Sequence, residues 1–377
     1  SSVKLGAYDW RADASFASTE LPSPEQRILA AFRLWNVIHF FHGSRDRLGA
    51  WNLSLGTIAD KLADAQTRRD YELALAESLA MGRDMAASVE TPSLVALHGA
   101  AAPPFELMQV EGKPVVTMSA SEQVKPGDEL LRIDGRDATL RLNELARYTA
   151  EANAVRDLAK GAAGTTSLFA FRRADGSQYE VPLARGANVV ANPAKAWRIL
   201  NGNVAYVDAR TLDDLDALFN EVASTRAMII DLRGEHVNAE LVQRLNVTGN
   251  AVTSRVPVLL GGAYNFADAA ETIAATTGAR YDRPTIALVD ERTPADVALA
   301  LQALARTRFV GTAMAGAHGD TSSLVVPGNI TIRFTATELH NAKGRAGIEP
   351  DFMVERTIRG LAEGRDELLD AALAILQ

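Results

Sequence analysis

Cysteine is absent from the 377 residues, which excludes disulfides, thiol catalysis and thiolate metal sites. Positive charge is also short. The net charge of −8 argues against nucleic acid or an anionic membrane as the main partner. No apolar run is long enough to span a bilayer. Repeats and low-complexity tracts are missing. A starting Met is missing too, and the opening Ser1-Ser2-Val3 raises the expectation of a trimmed leader. The sequence calls for no metal and no cofactor. What is present, 47% hydrophobic and 23% charged residues, is the composition of a soluble globular protein. The length allows two or three domains.

The stretch from Pro284 to Leu304 reads as a buried strand, a sharp turn and an apolar helix. Ile286, Leu288 and Val289 suit a strand covered on both faces. Val297, Leu301, Leu304 and Ala305 recur at helical spacing. Thr293 is the expected cap, with Pro294 in the first turn. Such a turn can hold a nucleophile at a helix N-terminus, where the dipole favours negative charge. The residue at that point is Ala295, which has nothing to react with.

Residues 1–21 read as an extended lead-in, and residues 22–98 as a helical domain. Ser23, Pro24 and Gln26 open a helix with a capping box. Ile28, Phe32, Trp35 and His39 are expected on its inner face. His39 and His42 read as packing and surface residues, since two histidines with no acidic companion make a poor metal site. A second helix carries Ile58 and Leu62. A third, capped by Thr67 with Asp70, carries Tyr71, Leu75 and Leu79.

Residues 99–187 change period. Phe105–Val110 alternates as a strand, turns at Glu111-Gly112, and returns through Val115–Met118. Pro126-Gly-Asp-Glu-Leu-Leu-Arg-Ile-Asp-Gly135 resembles a PDZ domain. That resemblance implies strand addition by a peptide or protein C-terminus beside Phe105, Leu107 and Val110, with backbone N–H groups holding its carboxylate. Use of the same fold as an interdomain brace is the other reading.

Residues 188–377 read as an α/β core. Val204–Val207 and Ala227–Asp231 are strands separated by a helix, and Leu324–Val326 and Ile330–Phe334 form a hairpin. Several motifs carry a second resemblance. Asp290-Glu-Arg-Thr-Pro-Ala295, Ile229-Ile-Asp-Leu-Arg-Gly234, Gly316-Ala-His-Gly-Asp320 and Gly347-Ile-Glu-Pro-Asp351 resemble the carboxy-terminal processing (tail-specific) serine peptidases and the related tricorn core. The resemblance implies an α/β multidomain fold: an N-terminal helical domain, a PDZ-like β-rich domain and a C-terminal α/β core of the ClpP/crotonase type. It also implies an extracytoplasmic location.

The same comparison implies that the catalytic parts are gone. Ala295 falls on the nucleophilic Ser, Ala298 on a Glu, and Ala86 of Asp84-Met-Ala86 on the His of an Asp-Gly-His motif. No lysine lies between Ala295 and Asn341, which removes a Ser–Lys dyad. The oxyanion turn, at Gly234, Glu235 and His236, has lost its later glycines. A peptidase needs nucleophile, base and oxyanion site together. The expectation is a pseudopeptidase that binds peptides or protein partners. The alternative is a serine-type peptidase, either with its nucleophile replaced at Ala295 or with one relocated to Ser322 or Ser323 and His318 as base.

Overall fold

The computed structural model describes residues 16, 18, 20–186, 195–234, 237–238, 240–245, 249–260, 263–273, 280–304, 306–314, 316, 319–341 and 346–377. Helix α1 (Pro24–Phe41) begins at the expected capping box. The Ser23 hydroxyl accepts from the Gln26 N–H, and the Gln26 side chain accepts from the Ser23 N–H. Its inner face is not the expected one. Arg27, Ala30, Ala31, Leu34 and Ile38 are buried, whereas Ile28 and Phe32 are 39% and 45% exposed. The two adjacent alanines let the next helices approach closely, and bulkier residues at 28 and 32 stay outside. Helices α2 (Leu55–Ala63) and α3 (Arg68–Ala80) complete this layer, the latter with the expected Thr67–Asp70 box. The short strand β1 (Ser88–Glu90) and helix α4 (Pro92–His98) follow.

The next region is an antiparallel sheet, at the stretch whose motif resembles a PDZ domain. Its strands are β2 (Phe105–Val110), β3 (Lys113–Ser119), β4 (Glu129–Ile133), β5 (Arg136–Asp137), β6 (Thr166–Arg172) and β7 (Gln178–Ala184). The order is β2-β3-β4-β6-β7, so β2 is an edge strand, and β5 pairs β4. Helices α5 (Ala138–Ala146) and α6 (Glu151–Asp157) belong to the same unit. Phe105 packs edge-on against Phe169 and Phe171 at 5.3 and 5.4 Å, which centres the core of this sheet on three rings.

The α/β core has a six-stranded sheet. It uses β8 (Trp197–Leu200), β9 (Val204–Asp208) and β10 (Ala227–Asp231), with helix α7 (Leu215–Val222) between the last two. After the short helix α8 (Leu241–Arg244) comes a long hairpin, β11 (Gly249–Leu260) and β12 (Ala263–Ile273). Strand β13 (Thr285–Val289), helix α9 (Ala295–Gln302) and strand β14 (Thr307–Gly311) return to the main sheet. The chain then forms β15 (Thr321–Val326), β16 (Ile330–Thr335), β17 (Glu338–Asn341) and β18 (Phe352–Met353). Helices α10 (Ile358–Ala362) and α11 (Glu367–Ile375) end it. The sheet order is β18-β14-β13-β10-β9-β8, and every pair is parallel except β8 with β9. All residues of β9, β10 and β13 are buried, as a parallel sheet covered by helices requires.

Two contacts tie the regions together. The β15–β16 hairpin pairs with β1, and Leu324, Val326, Ile330, Ile332 and Phe334 fill the core formed by α1, α2 and α3. The helical layer is therefore closed by chain from the C-terminal third. At the other side, Gly127 has φ +91°, and a Cβ there would stand 2.7 Å from the Ala362 nitrogen. Only glycine allows the Pro126-Gly127 turn to sit this close to α10. No helix among the described residues is long and apolar enough to cross a membrane.

Candidate functional site

The turn between β13 and α9 is stitched by Asp290. Its buried carboxylate takes three bonds on Oδ1, from the Gly234 N–H (3.2 Å), the Arg292 N–H (3.0 Å) and the Thr293 hydroxyl (3.3 Å). The Thr293 hydroxyl in turn accepts from the Asp290 N–H at 2.9 Å. Thr293 is thus not the helix cap expected above. Pro294 holds that position without a side-chain bond, and α9 starts at Ala295. Both capacities of the Thr293 hydroxyl are engaged inside the turn.

Ala295 and Ala86, far apart in sequence, line one cavity of about 340 Å³, with Met85, Arg292, Pro294 and Gly316 on its wall. Ala86 is placed by its own N–H, which donates to Asp84 Oδ1 at 2.9 Å. The Asn153 side chain of α6 donates to the Met85 carbonyl at 3.0 Å. Ala298, the third position of the resemblance, is wholly buried in the core of the α/β region and is not part of this wall.

Gly234 has φ +109°, the conformation that favours glycine. Its N–H is spent on Asp290. Beyond it, Val237 packs against the α/β core, and the Asn238 N–H donates to the Ala209 carbonyl at 3.0 Å. Glu235 and His236 lie outside the described residues, and so does His318. Ser322 and Ser323 are exposed on β15 and line a different cavity, with Phe41, Pro257 and Phe334. Strand pairing with β16 carries them onto the outer edge of the three-stranded sheet, away from the cavity of Ala86 and Ala295.

A groove of about 710 Å³ runs beside β2, lined by Leu107, Met108 and Gln109 of the strand and by Thr149 and Val155 opposite. Met85, Glu291 and Arg292 line both this groove and the Ala295 cavity, so the two are continuous. Of the expected peptide contacts, Leu107 borders the groove, although it is 4% exposed and packs in the same core as Phe105. Phe105 and Val110 do not: Phe105 is in the aromatic core, and Val110 packs against Ile358 and Leu361. Strand alternation and a register shift between Glu106 and Leu107 set this division. The expected carboxylate-holding N–H groups are mostly committed before β2. Those of Ala100 and Ala101 both donate to the Gly161 carbonyl, and that of Phe105 to the Pro103 carbonyl. Pro103 and Pro104 have none.

Sequence reasoning missed one buried cluster. His42 is 3% exposed and its Nε2 lies 3.1 Å from Asp84 Oδ2. The Ser44 N–H donates to His42 Nδ1, which leaves the proton on Nε2 and makes the ring a donor to Asp84. The Thr335 N–H and hydroxyl add bonds of 2.8 Å each. Burial works to raise the Asp84 carboxyl, but the His42 and Thr335 bonds outweigh it and hold its pKa at about 2. His42 therefore has the acidic companion the sequence hid, 42 residues on. His39 stacks on Trp35 at 4.4 Å as a packing residue, and His98 pairs with Asp157 at 3.1 Å. Among the described residues no three His, Asp or Glu side chains converge as metal ligands would.

The Asp231-Leu-Arg-Gly234 motif is also structural. Arg233 bonds both oxygens of Asp231 (2.8 and 2.5 Å) and both oxygens of Asp366 at the start of α11. Tyr206 donates to Asp231 at 2.7 Å. Burial opposes ionisation of Asp231, and Arg233 overrides it, so its pKa also falls to about 2. Asp351 closes the far edge by accepting from the Phe309 N–H at 2.8 Å.

A sequence model of peptidase family S41 matches residues 203–354. No curated protein matches the chain. Many solved structures share the fold. Mature CPAF complexed with lactacystin superposes with a TM-score of 0.66 at 15% identity, over 94% of this chain and 98% of that one. The photosystem II D1 C-terminal processing protease gives 0.54 at 16% identity, over 91% and 99%. Identities this low speak for the fold alone. The Asp-Leu-Arg-Gly strand, the β13–α9 turn and the Asp351 closure all lie inside residues 203–354, the segment that matches the model of peptidase family S41.

Proposed function

We propose that this chain is a non-catalytic S41 protein that binds an extended peptide or a protein C-terminus in the groove beside β2. One observation carries the reading: Ala295 and Ala86, which the resemblance aligns with nucleophile and base, line a single cavity at the end of that groove. A methyl group can neither attack a carbonyl nor accept a proton. Two further facts agree with it. The nearby Thr293 hydroxyl is engaged by Asp290, and the Gly234 N–H points to the same carboxylate instead of to an oxyanion. Peptide binding is supported by the edge position of β2, which among the described residues pairs only with β3 and leaves a free side for strand addition. An extracytoplasmic location belongs to the same reading and rests on the family resemblance.

The test has two measurements on the intact chain. The first is incubation with unfolded protein substrates and with a serine-reactive phosphonate probe. The expected result is neither cleavage nor labelling, and clear cleavage would establish the hydrolase instead. The second is titration with labelled peptides against the parent and Gln109→Glu, a position that is exposed and lines the groove. A charge placed on the groove wall is expected to weaken binding by about tenfold or more. Equal affinity for both proteins would remove the groove from the reading.

A further inference from the structure

A second cavity, of about 220 Å³, lies between β2, the end of β10, the β13–α9 turn and α10. Four of its arginines are instructive. Arg210 is neutralised by both oxygens of Asp208, and Arg233 by Asp231 and Asp366. Arg292 and Arg356 are different. Among the described residues, the one side-chain partner of each guanidinium is the Met108 sulfur, at 3.3 and 3.2 Å. A thioether is a weak acceptor and carries no charge. The Arg292 Nε is buried with no hydrogen-bond partner among the described residues.

The acids around the cavity do not fill this role. Asp366 is committed to Arg233, and Asp290 takes three donors on Oδ1, while its buried Oδ2 bonds neither guanidinium nor any other donor among the described residues. Glu106 lines the wall and pairs with neither guanidinium. Burial, and then the neighbouring Arg233, push the Arg356 pKa below its ordinary value, against the pull of Asp290, Asp366 and Asp231. A partly buried guanidinium pair with a shared neutral acceptor is a strong recognition element for an oxyanion.

We infer that this cavity is a carboxylate-binding site, in which Arg292 and Arg356 take one carboxylate between them and displace the Met108 sulfur. The carboxylate has two possible sources. One is a small free dicarboxylate. The other is an acidic group on a chain lying in the β2 groove, because Met108 and Arg292 line both spaces. The site does not require the non-catalytic reading, and the first arm of its test contains no peptide.

In that arm the intact chain is titrated calorimetrically with succinate at constant ionic strength. In the second arm it is titrated with peptide pairs that differ by Glu→Gln within the chain, or by free acid against amide at the end. Each arm is repeated with Arg356→Gln, Arg292→Gln and Met108→Leu. Loss of one charged partner is expected to weaken carboxylate binding about thirtyfold or more. Met108→Leu, which removes only the competing acceptor, should leave binding unchanged or tighter. If Arg356→Gln does not fold, Arg292→Gln carries the comparison. Saturable succinate binding with this dependence identifies a free ligand. Binding restricted to the acid-bearing peptides identifies a tethered one. No saturable binding in either arm, or affinities indifferent to both arginine variants, overturns the inference. Charge-independent peptide binding would do so while leaving the groove reading intact.

Discussion

Asp84 ties three segments of the chain together through one buried carboxylate. In the motif it resembles, an Asp precedes a catalytic His by two positions. Here position 86 is alanine, and Asp84 instead collects bonds from the Ala86 N–H, His42 and both donors of Thr335. Asp84→Ala should therefore act on stability. It strands the buried His42 and Thr335 donors, and the expected loss is about 3 kcal/mol, read from the urea midpoint at unchanged m-value. A change below about 0.5 kcal/mol would mean the cluster is not a support. Ala295→Ser, in contrast, should fold and stay inactive. Its hydroxyl would face a cavity that Ala86 also lines, and the Gly234 N–H, at the expected oxyanion turn, is held by Asp290. Members of a catalytic unit are non-additive, so one restored part recovers little. Strong phosphonate labelling of Ala295→Ser would reveal a base elsewhere.

At the scale of elements, what was legible depended on sequence distance. Caps, turns and strands are local, and Ser23, Thr67, Asp134-Gly135 and the apolar run of β13 marked their elements where the structure has them. The inner face of α1 was not legible. Two periodic stripes compete there, and the one with larger residues lost to Ala30, Ala31, Leu34 and Ile38, because close helix packing selects for shape rather than hydrophobicity alone. Motif spacing singled out the positions Ala86 and Ala295, and folding brings the two to one cavity. The His42–Asp84–Thr335 cluster and the Arg–Met–Arg contact were not legible, since each joins residues brought together only by tertiary folding. The β15–β16 hairpin is the same lesson at larger size. Its strands were readable, but not that they would close the helical layer. Phe334 is 2% exposed in that core. Phe334→Ala is expected to cost about 3–5 kcal/mol and to lower the urea midpoint. Far-UV circular dichroism should show the helical signal of α1–α3 lost with it, although the change lies nearly three hundred residues from α1. A signal that persists at full strength through the transition of the α/β core would show that the helices hold together without the hairpin.

Across the whole molecule, two buried carboxylates brace two different regions, and both make stability depend on acid in the same direction. Asp84 links the helical layer to β16, and Asp231 links the main sheet to Arg233 and α11. Each is held at a pKa of about 2, below the roughly 3.9 of an unfolded aspartate. Between those values the unfolded chain binds more protons than the folded one, so lowering the pH favours unfolding. The contribution of each group is fully present above about pH 5. It is lost progressively as the pH falls through 4 towards 2, and its size is on the order of 2 kcal/mol per group. The bonds described for the two sites involve different residues, so their effects should nearly add. The unfolding free energy is expected to be flat from these groups between pH 7 and 5, then to fall by about 4 kcal/mol on the way to pH 2. Asp84→Asn and Asp231→Asn each remove one titration, so each variant should start less stable at pH 7 and lose less on acidification. Urea unfolding of the parent and both variants at a series of pH values measures this. Acid limbs that stay parallel in all three proteins would show that neither carboxylate couples protonation to folding.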